Sequence, residues 1–293
     1  MSISYILNSF SQPRVRMSST SLHFVRGALF VALSSACLAG AAHAHGDLEP
    51  VDDLHTHIGD YEKEISSMND TVAAIVADYE SGDAVTGRVD SLVETWENVE
   101  FHEAIETNAM ALYPPIWIAL GGLREAVDEP NASAEVEKWQ QRVEHALHEG
   151  VGALKLVATQ QARGSQSLAG AGSTPESDRQ AAAADDDRPT IVIMKDNLQQ
   201  VVAHYRDGDT AAANQLLQQT YMQRFEGIEG DLIERDADLV TDLEKDFNGT
   251  LPLLMEKKAS ASELSAHVDK MNSKLDRAQT LLDKSAESQS SVF

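Results

Sequence analysis

The chain has 293 residues, with 47 acidic side chains against 23 lysines and arginines, for a net charge of −24. A surface this acidic repels nucleic acid and anionic lipid and draws cations. The length allows one large helical domain or two small ones, and a solvated acidic coat accounts for the same charge without any ligand.

The first 44 residues hold Arg14, Arg16 and Arg26 and no acid. An apolar run, 27–33, leads to the small residues Ala42-His43-Ala44, which match an A-x-A cleavage site. This is the pattern of a secretory signal peptide cleaved after Ala44, and it predicts a periplasmic protein. Cys37, the only cysteine, lies inside that segment, and Ser34 three residues before it fits a lipidation site poorly. A chain matured at Ala44 has no thiol for disulfides, zinc–thiolate sites, iron–sulfur clusters or nucleophilic catalysis. No later segment reaches 18 consecutive apolar residues, so no direct membrane span is expected.

From Leu54 the apolar residues Leu54, Ile58, Tyr61, Ile65, Met68, Val72, Ile75 and Tyr79 recur at steps of three and four. That spacing predicts one face of a helix, ended at Ser81-Gly82-Asp83. A second helix is expected over 84–111, broken by Tyr113-Pro114-Pro115. A short apolar helix over 116–127 follows. Another opens at Asn131 and runs to about 158, with Val143, Leu147, Val151 and Leu154 inward. Residues 162–189 are Gly, Ser, Ala, Gln and Asp with almost no large apolar side chains, which predicts a flexible linker. Helical pattern resumes from Thr190 to Tyr205. A helix from Thr210 carries Leu216, Leu217, Tyr221, Phe225, Ile228 and Leu232, and a last one carries Leu264, Val268, Met271, Leu275, Ala278 and Leu282. Ile191-Val192-Ile193 is too short to build a sheet, and Met68, Met194 and Met271 sit in apolar stripes and read as core.

Two phrases occur twice. Val76 to Asp83 and Val202 to Asp209 agree at five of eight positions, including Tyr-x-x-Gly-Asp. Glu103-Ala104-Ile105-Glu106 follows Tyr79 by 24 residues, and Glu226-Gly227-Ile228-Glu229 follows Tyr205 by 21. The order and spacing predict an internal duplication. The expected architecture is all-α: two related antiparallel bundles, 45–161 and 190–285, joined by the linker, with a disordered tail over 286–293.

The repeated E-x-x-E pairs carry the chemistry. Residues three apart share a helix face, so Glu103 with Glu106 and Glu226 with Glu229 offer paired carboxylates to a hard cation. Glu100 lies one turn before Glu103, and His102 adds a nitrogen donor. The weaker candidates are His55 and His57 near the expected mature start, and His145 and His148 at helical spacing. Each of these also reads as an ordinary surface group. No P-loop, dinucleotide turn, nucleophile elbow, H-E-x-x-H or haem-attachment motif is present, so no enzyme is expected.

The second half resembles the soluble extracytoplasmic region of bacterial high-affinity iron permeases. The residues are Tyr205-Arg206-Asp207-Gly208-Asp209, Tyr221 to Phe225-Glu226-Gly227-Ile228-Glu229, and Arg235-Asp236-Ala237-Asp238-Leu239-Val240. Asp78-Tyr79 and Asp83-Ala84-Val85 look like that family's earlier repeat. The membrane helices with their R-E-G-L-E motifs are missing, so the chain is not the channel. The resemblance implies an iron-linked protein that works with a membrane iron permease or another uptake component. It carries a metal role onto Glu226 and Glu229, and through the repeat onto Glu103 and Glu106. The expected function is therefore periplasmic metal binding. Iron is the expected metal, and copper, manganese and zinc remain open. A metal-free helical interaction or sensor protein is the alternative. A ferroxidase ranks third, because Glu-x-x-His is not present in both halves.

Overall fold

The computed structural model describes residues 50–168 and 188–290. The expected signal peptide, Cys37, linker residues 169–187 and the last three residues of the chain lie outside them. Among the described residues every regular element is helical: α1 (Leu54–Glu80), α2 (Thr86–Asn98), α3 (Glu100–Asn108), α4 (Tyr113–Ala126), α5 (Ser133–Leu168), α6 (Thr190–Arg206), α7 (Thr210–Thr220), α8 (Glu226–Glu244), α9 (Leu251–Glu256) and α10 (Ala261–Ser290). None is long and apolar enough to cross a membrane.

The apolar stripes read from the sequence form the core. Leu54, Tyr61, Ile65, Met68, Val72 and Ile75 of α1 are buried, as are Val143, Leu147, Val151 and Leu154 of α5, and these two helices pack together. In the second half α6 packs on α7 and α10. α4 crosses from its own half to lie against 245–250 and α9, so the two halves share interior surface.

Helices α1 and α6 end alike. Gly82 and Gly208 take φ of 87° and 85°, a backbone region that glycine enters without a Cβ clash. The closing bonds match: Asp83 N to Asp78 O at 3.0 Å, and Asp209 N to His204 O at 2.9 Å. Tyr79 then donates its hydroxyl to Glu129 O, and Tyr205 donates to Ala259 O, tying each helix end to a distant turn. Asp209 caps α7 by accepting from Ala212 N, whereas no side chain caps α2.

Four helices depart from the expected pattern. The single helix expected over 84–111 is broken at Val99, where the backbone is extended (φ −90°, ψ 145°), and a short 3-10 turn, Met110–Leu112, follows α3. The helix from Thr210 widens into a π-helical turn at Tyr221–Phe225 before continuing as α8. α5 runs to Leu168 and α10 to Ser290, beyond the points where linker and tail were expected to begin.

The contact between α4 and α5 depends on Gly122, where an added Cβ would lie 2.3 Å from the Trp139 ring. Gly122→Ala is expected to cost about 1–3 kcal/mol by overpacking, read as a fall in melting temperature by circular dichroism. Gly59→Ala, mid-helix with nothing within 4 Å, is expected to stabilise by about 0.5–1 kcal/mol in the same assay.

Candidate metal centre

Local structure aims a set of acids at the surface between the halves. The break at Val99 lets α3 restart at a new angle, and Glu64 of α1 accepts from Glu100 N (3.3 Å) and Phe101 N (2.9 Å) at its first turn. Anchored there, α3 turns inward one face that carries His102 and Glu106, one helical turn apart. Tyr113 opens α4 ahead of Pro114 and Pro115, residues suited to a first helical turn. From the second half come Tyr221, first residue of the π turn, Glu229 near the start of α8, and Glu244 at its end. α8 kinks at Asp236, whose side chain accepts from Leu239 N at 3.3 Å and restarts the helix. A second π turn, Lys245–Thr250, begins directly after Glu244.

His102, Glu106, Glu229 and Glu244 are 1%, 4%, 3% and 3% exposed. Tyr221 donates a very short hydrogen bond to Glu106 Oε1 and lies 3.3 Å from Glu244 Oε1. Tyr113 OH lies 2.6 Å from His102 Nε2 and 3.4 Å from Glu244 Oε1. His102, Glu106 and Glu244 each bring a donor atom within 4.8 Å of the others. Glu97, at the end of α2, accepts from Thr241 Oγ1 at 3.2 Å. Aromatic rings wall the centre: Trp96 and Tyr113 both stack on His102, with centroids 4.7 and 5.2 Å away, and lie 6.1 Å from each other, and Tyr221, Phe225 and Phe247 continue the wall into the second half.

The electrostatics are unbalanced. Among the described residues no lysine or arginine forms an ion pair with Glu97, Glu106, Glu229 or Glu244; Lys245 only pulls modestly on Glu97. Burial pushes Glu97 and Glu106 up to about 7 and raises Glu229 and Glu244 well above the carboxylate range, and mutual repulsion adds to each. Burial likewise raises Tyr113 and Tyr221, with Glu106 the leading charge against both. Glu97 Oε1, Glu106 Oε2 and Glu229 Oε1 are buried and accept from no N–H or hydroxyl group, and Glu97 and Glu229 are close enough to share a proton with the Glu244 carboxyl. Such atoms are costly unless a proton or cation meets them.

The structure brings Glu106 and Glu229 together with His102. Glu103 and Glu226 are half-buried, close enough to repel Glu106, and form a rim. Glu100 is exposed and faces His57, whose Nδ1 is 3.9 Å away, on the surface of α1 and α3. His55 is exposed. His145 is exposed and pairs with Glu149 at 3.0 Å, and His148 bonds Glu144 O. These four histidines stand apart from the centre. Sequence reasoning missed Glu97, Glu244, Tyr113 and Tyr221. Glu97, Glu244 and Tyr113 lie outside the repeated phrases, and Tyr221 stands five residues before Glu226 with no counterpart in register in the first half. The carboxyl–phenol–imidazole set, hard oxygen donors with one nitrogen in an aromatic wall, suits a metal ion or a network of shared protons. No protein-family model matches the chain, and no curated protein or solved structure matches it.

A carboxyl whose folded pKa is raised binds more protons folded than unfolded. The stability it contributes is complete below about 4.5 and is lost as pH rises through about 7. Metal-free protein is therefore expected to melt at least ~3 °C lower at pH 8 than at pH 5, with a shallower slope in Glu106→Gln. A flat or rising profile by differential scanning calorimetry would contradict this.

Proposed function

We propose that the protein is an extracytoplasmic metal-binding protein, not an enzyme, whose ion is held between its two halves by Glu106, Glu244 and His102, with Glu229 and Glu97 beside them. The observation that carries this reading is the set of buried carboxyl oxygens on Glu97, Glu106 and Glu229 that no N–H or hydroxyl group meets and that, among the described residues, no lysine or arginine pairs with. A bound cation inverts the local pKa logic, since it favours the ionised form that burial disfavours. The half-buried Glu103 and Glu226 give an arriving cation an acidic approach.

In this reading the halves are copies of one unit. The matched helix ends, the two tyrosine anchors and the inward aim of Glu106 and Glu229 support that descent. Iron is the proposed metal and a membrane iron permease the proposed partner, both on the sequence resemblance. Export rests on the basic and apolar N-terminal segment. The second reading is a metal-free interaction protein in which the acids share protons. It is favoured by the Tyr221 hydroxyl, which already satisfies one oxygen of Glu106.

The two readings separate in one calorimetric experiment with ferrous, ferric, manganous, cupric and zinc ions. Metal binding predicts saturable heat at micromolar levels and a gain of about 2.7 kcal/mol in stability at a hundredfold excess of free metal over Kd. Glu106→Gln, Glu229→Gln, Glu244→Gln combined is expected to lose both effects. No heat with any of these ions, and a triple variant that melts at or above the wild-type temperature, would leave the proton-sharing reading in place.

A further inference from the structure

Five side-chain donors close a ring in the centre. Around it run His102 Nε2 to Tyr113 OH at 2.6 Å, Tyr113 OH to Glu244 Oε1 at 3.4 Å, Glu244 Oε1 to Tyr221 OH at 3.3 Å, and Tyr221 OH to Glu106 Oε1 in a very short contact. Glu106 Oε2 completes it, 4.0 Å from His102 Nε2. Adjacent ligands of an octahedral ion with bonds near 2.1 Å lie about 3 Å apart. The edges of the ring bracket that spacing, so a small ion fits among these donors with modest movement. Glu106 Oε2 is fully buried without a hydrogen-bond partner, so the ring contains a donor that nothing else satisfies.

The donor types narrow the ion. Two phenols at the heart of a metal site are useful only to a cation acidic enough to displace their protons, and here both hydroxyls stand in the ring beside Glu244 Oε1. We propose that Tyr113 and Tyr221 are metal ligands, binding as phenolates, and that the centre is built for a hard trivalent cation such as ferric iron. This rests on the metal-binding reading and specifies it. On binding, each phenol, and each of Glu106 and Glu244 that carries a proton, gives that proton to solvent as its oxygen bonds the metal. Glu106 and Glu244 bind as carboxylates, and His102 as a neutral imidazole through Nε2. Two phenolates and the carboxylates of Glu106 and Glu244 supply four negative charges, with Glu97 and Glu229 beside the ring kept neutral by their protons. A trivalent ion leaves one uncompensated, a divalent ion two, and a buried residual charge is costly.

The test uses ferric citrate added to the protein, with manganous ion in parallel, followed by desalting, metal analysis and visible spectroscopy. Iron bound by phenolate is expected to give an intense visible charge-transfer band and tyrosinate ring modes in the resonance Raman spectrum. Tyr113→Phe and Tyr221→Phe are each expected to weaken the band and together to abolish it, while Tyr61→Phe, a buried tyrosine outside the ring, leaves it intact. Retained ferric iron without a visible band overturns phenolate ligation and leaves the carboxylate site standing, as does retention of manganese alone. A band that survives the double variant overturns the assignment of these two residues. Retention of neither metal overturns this proposal together with the reading it rests on. The wild-type spectrum decides the main point whether or not a variant folds.

Discussion

Glu106 from the first half and Tyr221 from the second meet where water does not reach, in the shortest hydrogen bond of the buried centre. A carboxyl there must be neutral, hydrogen-bonded or matched by a cation, because an isolated buried charge is far too costly to persist. The surrounding structure answers to that requirement. The phenols, the imidazole and the other acids are all held within a few ångströms, and aromatic rings exclude solvent around them. Since the donors come from both halves, packing of the halves and assembly of the centre are one event.

A contrast two residues apart shows that the fold provides cations where it needs them. Asp246 is as buried as Glu244, yet His267 Nε2 and Lys274 Nζ each stand 2.8 Å from its carboxylate. These partners outweigh burial and hold Asp246 below its usual pKa, while Glu244 is raised. Asp246 is thus a structural ion pair that fastens α10 to the turn after α8. Glu244 has phenols, other acids and the His102 imidazole for neighbours and, among the described residues, no lysine or arginine paired with it, an arrangement suited to a group whose counter-charge arrives from outside.

The helical class was readable because steps of three and four apolar residues run through α1, α5 and α10, and those stripes are the buried faces. Glu106 and Glu229 were reached through the repeated E-x-x-E, since helical spacing puts paired acids on one face. Spacing alone does not say which member of a pair turns inward, and Glu103 and Glu226 turn toward the rim. Glu244 was hidden for a different reason. It reaches the centre by the Asp236 kink and by packing of residues more than 130 positions apart, and neither leaves a periodic trace. Tyr113 read only as part of the helix-breaking Tyr-Pro-Pro and Tyr221 as one member of an apolar stripe, and neither context gives a sign that a hydroxyl has found polar company.

The two π turns deserve a geometric reading of their own. A π turn accommodates one more residue than the regular helix around it, and one residue corresponds to about 100° of rotation about the axis. Glu226 to Arg235 follow the first such turn and precede the Asp236 kink, so the heading of Glu229 is set by the inserted residue just upstream. Excising a residue from Tyr221–Phe225 would swing Glu229 sideways without altering its chemical identity. Alteration by substitution can retune this centre, but the compass bearing of α8 answers to chain length.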